Sequence, residues 1–137
     1  MQRVFLIALL LVGCAQLPPT PQDIQAKKFE SLSDKAVIYI VRTPMDSRLP
    51  GGLLLDGIGP IATMPGSYYR WEVAPGLHHV ADHAPAHGSV ALTTEAGKIY
   101  FVRHTVIGIG RPTPSFTSLQ QIDERTGRAA VMRAELL

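Results

Sequence analysis

The sequence is poor in cysteine, in net charge and in long apolar runs. Its single cysteine, Cys14, cannot form an internal disulfide, and no second thiol is present for a zinc knuckle or a CxxC redox pair. Thirteen Lys and Arg residues stand against eleven Asp and Glu residues, and the two signs alternate along the 137-residue chain. Nucleic-acid binding needs clustered positive charge, so we predict no nucleic-acid partner. The length fits one compact domain.

Short motifs that mark catalytic sites are missing as well. No G-x-S-x-G motif or other strained nucleophile turn surrounds Ser67 or Ser89, so a Ser-His-Asp hydrolase built on either serine ranks last. Residues 108–110 form an isolated GxG, and Pro112 prevents the following helix that a phosphate-binding loop requires. We therefore predict that the protein is not an enzyme and uses no cofactor.

The first fourteen residues follow the layout of a bacterial lipoprotein signal. Arg3 gives a positive start, residues 4–12 are uninterrupted apolar, and Leu11-Val12-Gly13-Cys14 ends the run with small residues before the cysteine. The apolar run is too short to span a bilayer, which needs roughly 20 residues, so we predict an export signal over residues 1–13. Cys14 would then begin the mature chain and carry covalent lipid. Two or more acyl chains at this residue would give stable anchoring in the membrane.

Ala15 follows this cysteine where an aspartate would favour retention in the inner membrane of enteric-type bacteria. We therefore predict anchoring in the outer membrane, facing the periplasm. The alternative is an ordinary secretory signal that happens to contain a cysteine. Residues 14–34 carry three prolines and mixed charge without a sustained period, which is typical of a flexible tether that holds a domain away from the lipid. Within it, residues 26–31 could dock on the domain or form a brief helical turn.

From residue 35 onward, short β-branched and aromatic runs are separated by glycine and proline, the pattern of an all-β domain. Residues 36–43 are apolar on both faces, as in a central strand, and Asp56-Gly57 predicts a tight hairpin turn. We predict a single antiparallel β-sandwich-like domain over residues 35–137, with seven to eight short strands. Residues 123–136 form either a short C-terminal helix or a final strand, and Gly127 weakens the helix.

Several strand and turn segments follow one another in a characteristic order between residues 26 and 103. They are Ala26-Lys27-Lys28-Phe29, Ala36-Val37-Ile38-Tyr39-Ile40-Val41-Arg42, Leu55-Asp56-Gly57, Gly66-Ser67-Tyr68-Tyr69-Arg70, Val73-Ala74-Pro75-Gly76-Leu77-His78 and Glu95-Ala96-Gly97-Lys98-Ile99-Tyr100-Phe101-Val102-Arg103. In that order they resemble the domain of unknown function 2846 family of bacterial lipoproteins. The resemblance implies a fold and no catalytic residues, because that family has no established activity. After His78 this chain departs from the pattern with a histidine-rich stretch.

Four histidines, His78, His79, His83 and His87, lie within ten residues, and histidine is the commonest metal ligand. If residues 77–82 form a strand, His79 and His83 share one face and His78 the other, so a common site requires the following loop to fold back. Asp82 could complete a zinc or copper site. The spacing matches no rigid template, and exposed histidines around a loop are the alternative.

Alternation over residues 67–73 predicts that Tyr69 and Trp71 face the core, while Tyr68 and Arg70 face solvent. Tyr68 and Arg70 are therefore a candidate patch for contact with a partner. Arg42 stands near a strand end, where its expected place is the solvated outer face.

These observations predict a non-catalytic, lipid-anchored envelope protein. Its partners would be the membrane, through the lipid on Cys14, and an envelope protein or cell-wall component bound by an outward sheet face or edge strand. The alternative is a metal-binding lipoprotein that uses the His78–His87 cluster.

Overall fold

A computed structural model describes residues 17–45, 47–83, 88–108 and 116–137. Residues 1–13 of the predicted signal, the predicted lipidation site Cys14 and the candidate ligand His87 lie outside these residues. The described chain contains two helices and nine strands: α1 (Pro21–Ala26), β1 (Ala36–Arg42), β2 (Gly51–Leu55), β3 (Ile58–Thr63), β4 (Ser67–Val73), β5 (Gly76–Asp82), β6 (Ser89–Thr94), β7 (Ile99–Ile107), β8 (Phe116–Ile122), α2 (Glu124–Met132) and β9 (Glu135–Leu136). Within this part of the chain, neither helix is long and apolar enough to cross a bilayer.

The strands form two sheets, which confirms the all-β, sandwich-like class. The five-stranded sheet has the order β8-β7-β1-β4-β9, and the four-stranded sheet has the order β3-β2-β5-β6. Most pairings are antiparallel, but β1 pairs with β7, and β4 with β9, in parallel. The predicted antiparallel sandwich is therefore confirmed in its main pairings, and the two parallel pairs join strands that lie far apart in the sequence. The C-terminal segment contains both α2 and the short strand β9.

The main core lies between the two sheets. The central strand β1 contributes Ala36, Ile38 and Ile40, and the four-stranded sheet contributes Leu53 and Val80 among others. The predicted turn between β2 and β3 is present, with positive φ angles of 50° at Asp56 and 78° at Gly57, as such a tight hairpin turn requires.

A second core covers the opposite face of the five-stranded sheet. Its buried members are Ala26, Val37, Tyr39, Val41, Tyr68, Phe101, Val131 and Ala134, which come from both helices and from the sheet. The rings of Tyr39 and Phe101 stack with centroids 5.4 Å apart. All seven residues of β1 are buried because this strand lies between the two cores, which confirms its predicted central place.

Helix α1 replaces much of the predicted tether. Thr20 caps the helix by accepting a hydrogen bond from the Asp23 N–H at 3.1 Å, and proline occupies the first turn. Asp23 and Ala26 are buried against the body of the domain. From the start of α1 onward the segment is therefore not a flexible tether, because apolar and hydrogen-bonding contacts hold it in place. The packing of Ala26 and Phe29 agrees with the alternative that residues 26–31 dock on the domain.

Candidate binding surfaces

Tyr68 is fully buried, so the prediction that it contacts a partner is wrong. Its side chain is 0% exposed, and its hydroxyl donates a hydrogen bond to Asp23 Oδ1 at 2.6 Å. The alternation along β4 correctly separated the two faces of the strand, but the face that carries Tyr68 is covered by the N-terminal segment. Burial, followed by the hydrogen bond to the Asp23 carboxylate, strongly raises the pKa of Tyr68, so the hydroxyl stays protonated.

Asp23 joins the two ends of the described chain. Its Oδ1 also accepts the backbone N–H of Leu136 at 3.2 Å, and its Oδ2 accepts the ammonium of Lys27 at 2.9 Å. Lys27 in turn donates to the carbonyl of Ala134 at 2.7 Å. Burial of the Asp23 carboxyl opposes ionisation, but the hydrogen bonds from Tyr68 and Lys27 outweigh it and lower the pKa. This set of contacts, which we call the terminal clasp, is structural.

Arg70 is half-buried beside α1 rather than projecting freely. Its Nε donates to the Tyr39 hydroxyl at 3.3 Å, and its guanidinium pairs with Glu72. Arg70 and Glu72 line a groove of about 660 Å³ between α1 and β4. Since its charge is already paired with Glu72, Arg70 mainly stabilises the helix-bearing side of the sheet through its contacts with Tyr39 and Glu72.

His78 is held on both ring nitrogens. Nδ1 lies 2.7 Å from Asp56 Oδ2, and Nε2 lies 2.7 Å from the carbonyl oxygen of Ala74, while Trp71 packs edge-on at 5.4 Å. Both partners are acceptors, so the charged ring, which has two donors, fits this site. Burial opposes that charge, but the Asp56 hydrogen bond outweighs it and raises the pKa of His78. A ring with both nitrogens hydrogen-bonded offers no lone pair to a metal. The prediction that His78 is a metal ligand is therefore wrong.

The other candidate ligands lie apart from His78. His79 is exposed on the outer face of β5, and His83 follows the strand with Nδ1 3.0 Å from Asp82 Oδ1. Across residues 17–45, 47–83, 88–108 and 116–137, His, Cys, Asp and Glu form no group of three suited to a metal. An extended strand separates His78 from His83 by about 16 Å, which explains why local sequence spacing overstated their proximity. A site with His87 stays a prediction.

Arg42 is buried, contrary to its expected place at the solvated face. It is 1% exposed and donates to the carbonyl oxygens of Thr63 at 3.0 Å and Leu49 at 2.6 Å. A guanidinium offers five donors, so one side chain can satisfy several loop carbonyls at once. Arg42 thereby fixes the loop that follows β1.

Next to this loop lies a groove that the sequence analysis missed. It occupies about 1000 Å³ between α2 and the ends of β1 and β7, and Arg103, Arg125 and Arg133 line it. Arg103 lies more than 20 positions before Arg125 and Arg133, so no local charge run revealed the three arginines. We call this feature the arginine groove.

The outer face of the four-stranded sheet has the opposite character. Asp82 is the single Asp, Glu, Lys or Arg in its four strands, and it is buried against Thr117. The register places Leu77 beside Thr93 and His79 beside Ala91 on the outward side, and Leu77 is 61% exposed. This surface, which we call the uncharged face, has no helix packed on it among the described elements.

No protein family, curated protein or solved structure matches the chain. The resemblance to the domain of unknown function 2846 family therefore stays a prediction.

Proposed function

We propose that the protein is a non-catalytic, lipid-anchored envelope protein that presents the uncharged face to another component of the bacterial envelope. The single observation that carries the proposal is the exposed sheet surface without formal charge. The centres of protein interfaces are depleted in charged residues, and the uncharged face shares that property.

The shape of the uncharged face also suits a protein partner. Gly52, Ala62, Ala81 and Ala91 alternate with larger side chains along its strands, which keeps the surface shallow. A flat sheet surface can accept a packed strand pair or helix from another envelope protein.

The anchor supports an orientation in which this surface points away from the lipid. Cys14 precedes Leu17 by three residues, which span at most about 11 Å. Leu17 and Pro18 line a cavity together with Met132 and Arg133 at the end of α2. Lipid on Cys14 would therefore hold the helix-bearing side near the membrane, with the domain in the periplasm at the outer membrane.

Site-specific photo-crosslinking in the native envelope tests the proposal. A crosslinking residue at Leu77 should give one discrete adduct, whereas the same residue at Met132, which is exposed on the helix-bearing side, should not. The Leu77 adduct should disappear when Cys14→Ala releases the chain from the membrane fraction.

Three results would contradict the proposal. Recovery of the wild-type chain in the soluble fraction would contradict the lipid anchor. An anchored chain that gives no adduct from Leu77 would contradict a partner at the uncharged face. An adduct from Met132 alone would place the partner on the helix-bearing side.

A further inference from the structure

The arginine groove carries positive charge that the described residues do not neutralise. No described carboxylate lies within ion-pair distance of Arg103, Arg125 or Arg133. Asp123 also lines the groove and accepts hydrogen bonds from the backbone N–H and the hydroxyl of Thr126, at 2.9 and 2.6 Å, so one negative charge stands against the three positive charges. The groove is therefore suited to an anion.

Apolar side chains complete the lining. Pro44 and Met45 form one wall, Ala129 and Ala130 form the other, and Met45 is 95% exposed. Because Arg42 fixes the loop that carries Pro44 and Met45, this wall is held in place. Guanidinium groups beside exposed apolar surface match a ligand with both a phosphate and a hydrocarbon portion.

The groove lies next to the point where the anchored chain enters the domain. Arg133 lines the arginine groove and also the cavity that contains Leu17 and Met132. Leu17 is 90% exposed, and the short distance from Cys14 keeps this region at the lipid surface. Phosphate groups of neighbouring lipids would then be the anions nearest to the three arginines.

We propose that the arginine groove binds the phosphate headgroup of an anionic phospholipid in the membrane that holds Cys14. The proposal rests on the lipid anchor of the proposed function for its choice of ligand. Arginine can grip phosphate through two parallel hydrogen bonds, so the contact fixes orientation as well as adding attraction. A basic residue near an anionic membrane strengthens binding about fivefold.

Vesicle co-sedimentation of residues 14–137 carrying Cys14→Ser tests this proposal without the acyl chains. This chain contains every residue that the structure describes. We expect it to bind vesicles of phosphatidylcholine with phosphatidylglycerol, and to bind pure phosphatidylcholine vesicles weakly. Arg125→Gln with Arg133→Gln should reduce the association constant about 25-fold, two factors of about fivefold.

The matched control is Lys35→Gln with Lys98→Gln. It removes the same charge from exposed lysines at the other end of β1 and β7, and it should change the association constant by less than about twofold. An equal decrease of the association constant in the two double variants would overturn the groove as the site. Vesicle binding would then depend on total charge rather than on these arginines. Equal thermal midpoints would confirm that both variants are folded.

Inorganic phosphate separates a lipid ligand from a free one. Replacing chloride by phosphate at constant ionic strength should displace the chain only when free phosphate is in large excess over lipid phosphate, because the apolar walls contact the lipid alone. Displacement at equal concentrations of free and lipid phosphate would overturn the lipid headgroup as the ligand, and equal binding to both vesicle types would do the same. Because this assay needs no lipid on Cys14, its failure is distinguishable from failure of the anchor or of the Leu77 adduct.

Discussion

The five-stranded and four-stranded sheets share one core but differ on their outer sides. Helices α1 and α2 cover one side of the five-stranded sheet with a second apolar core, and arginines gather at its border. The four-stranded sheet has no such cover among the described elements, and its outer side has almost no charge. Exposure and polarity are therefore separate properties in this protein, because the side with more charged residues is the more heavily packed one.

The largest effect should come from separating α2 from its sheet. A Cβ at Gly127 would lie 2.2 Å from Phe101 Cγ and 2.5 Å from Phe101 Cβ, so Gly127→Ala must displace the helix or the ring. We expect a loss of about 3 kcal/mol in the free energy of unfolding, despite the better helix propensity of alanine. Urea denaturation measures it.

Ala91→Val is the matched control on the uncharged face, where a β-branched residue meets solvent. It should change stability by less than about 0.5 kcal/mol. Similar losses in the two variants would show that the two sides do not differ in packing.

Arg42→Met should produce the next largest effect. The substitution keeps an unbranched apolar stem but removes the donors to the carbonyls of Thr63 and Leu49. Buried carbonyls left without a donor should cost at least about 2 kcal/mol. Chemical denaturation of this variant beside Arg48→Met, which alters an exposed arginine, measures the difference. Equal stabilities would mean that Arg42 does not secure the loop.

Tyr68→Phe tests the terminal clasp with little change in volume. It removes the donor to buried Asp23 Oδ1, and we expect a loss of about 1–2 kcal/mol in stability. Tyr100→Phe is the control, because that hydroxyl accepts a hydrogen bond from the Glu95 N–H at an exposed position. Thermal unfolding compares the stabilities of the two variants. A loss of stability in Tyr100→Phe as large as that in Tyr68→Phe would show that the terminal clasp does not stabilise the fold.

The smallest effect is a pH dependence from His78, which lies on the side of β5 opposite to the uncharged face. The raised pKa of folded His78 means that its contribution is fully present below the ordinary value of 6.5 and is lost as the pH rises through the higher folded value. The free energy of unfolding should therefore fall as the pH rises through that interval. Burial opposes ionisation of Asp56, but hydrogen bonds from the His79 N–H and the His78 ring outweigh it and lower the pKa of Asp56. This carboxylate therefore stays ionised throughout.

Urea titrations from about pH 5 to about pH 9 measure this slope. His78→Gln should reduce the slope, whereas His79→Gln, at the exposed neighbour, should preserve it. An unchanged slope in His78→Gln would assign the pH dependence to other groups.

Local signals in the sequence were sufficient for β1 and for the β2–β3 hairpin. Two-sided apolarity requires burial on both faces, and Asp-Gly suits positive φ angles, so both features follow from short-range chemistry. The parallel pairing of β1 with β7 was not predictable in this way, because no turn joins the two strands.

The errors at Tyr68 and in the tether have one origin. Alternation along β4 gives the two sides of the strand but does not say which side another element covers. The covering element starts with a readable signal, since Thr20, Pro21 and Asp23 are a capping residue, an N-terminal proline and a first-turn acid. The proline-rich composition of residues 14–34 indicated a tether rather than this six-residue helix. The arginine groove forms only when α2 packs on the sheet, so no local pattern indicated it.

The terminal clasp has a consequence for the order of folding. Asp23 and Leu136 are separated by 113 positions along the chain, so their contact closes nearly the whole domain into a loop. The entropy of that closure must be overcome late, after the last residues have become available. During synthesis, the helix-bearing layer would therefore be completed last, and a chain truncated before Ala134 would leave its first helix unfastened.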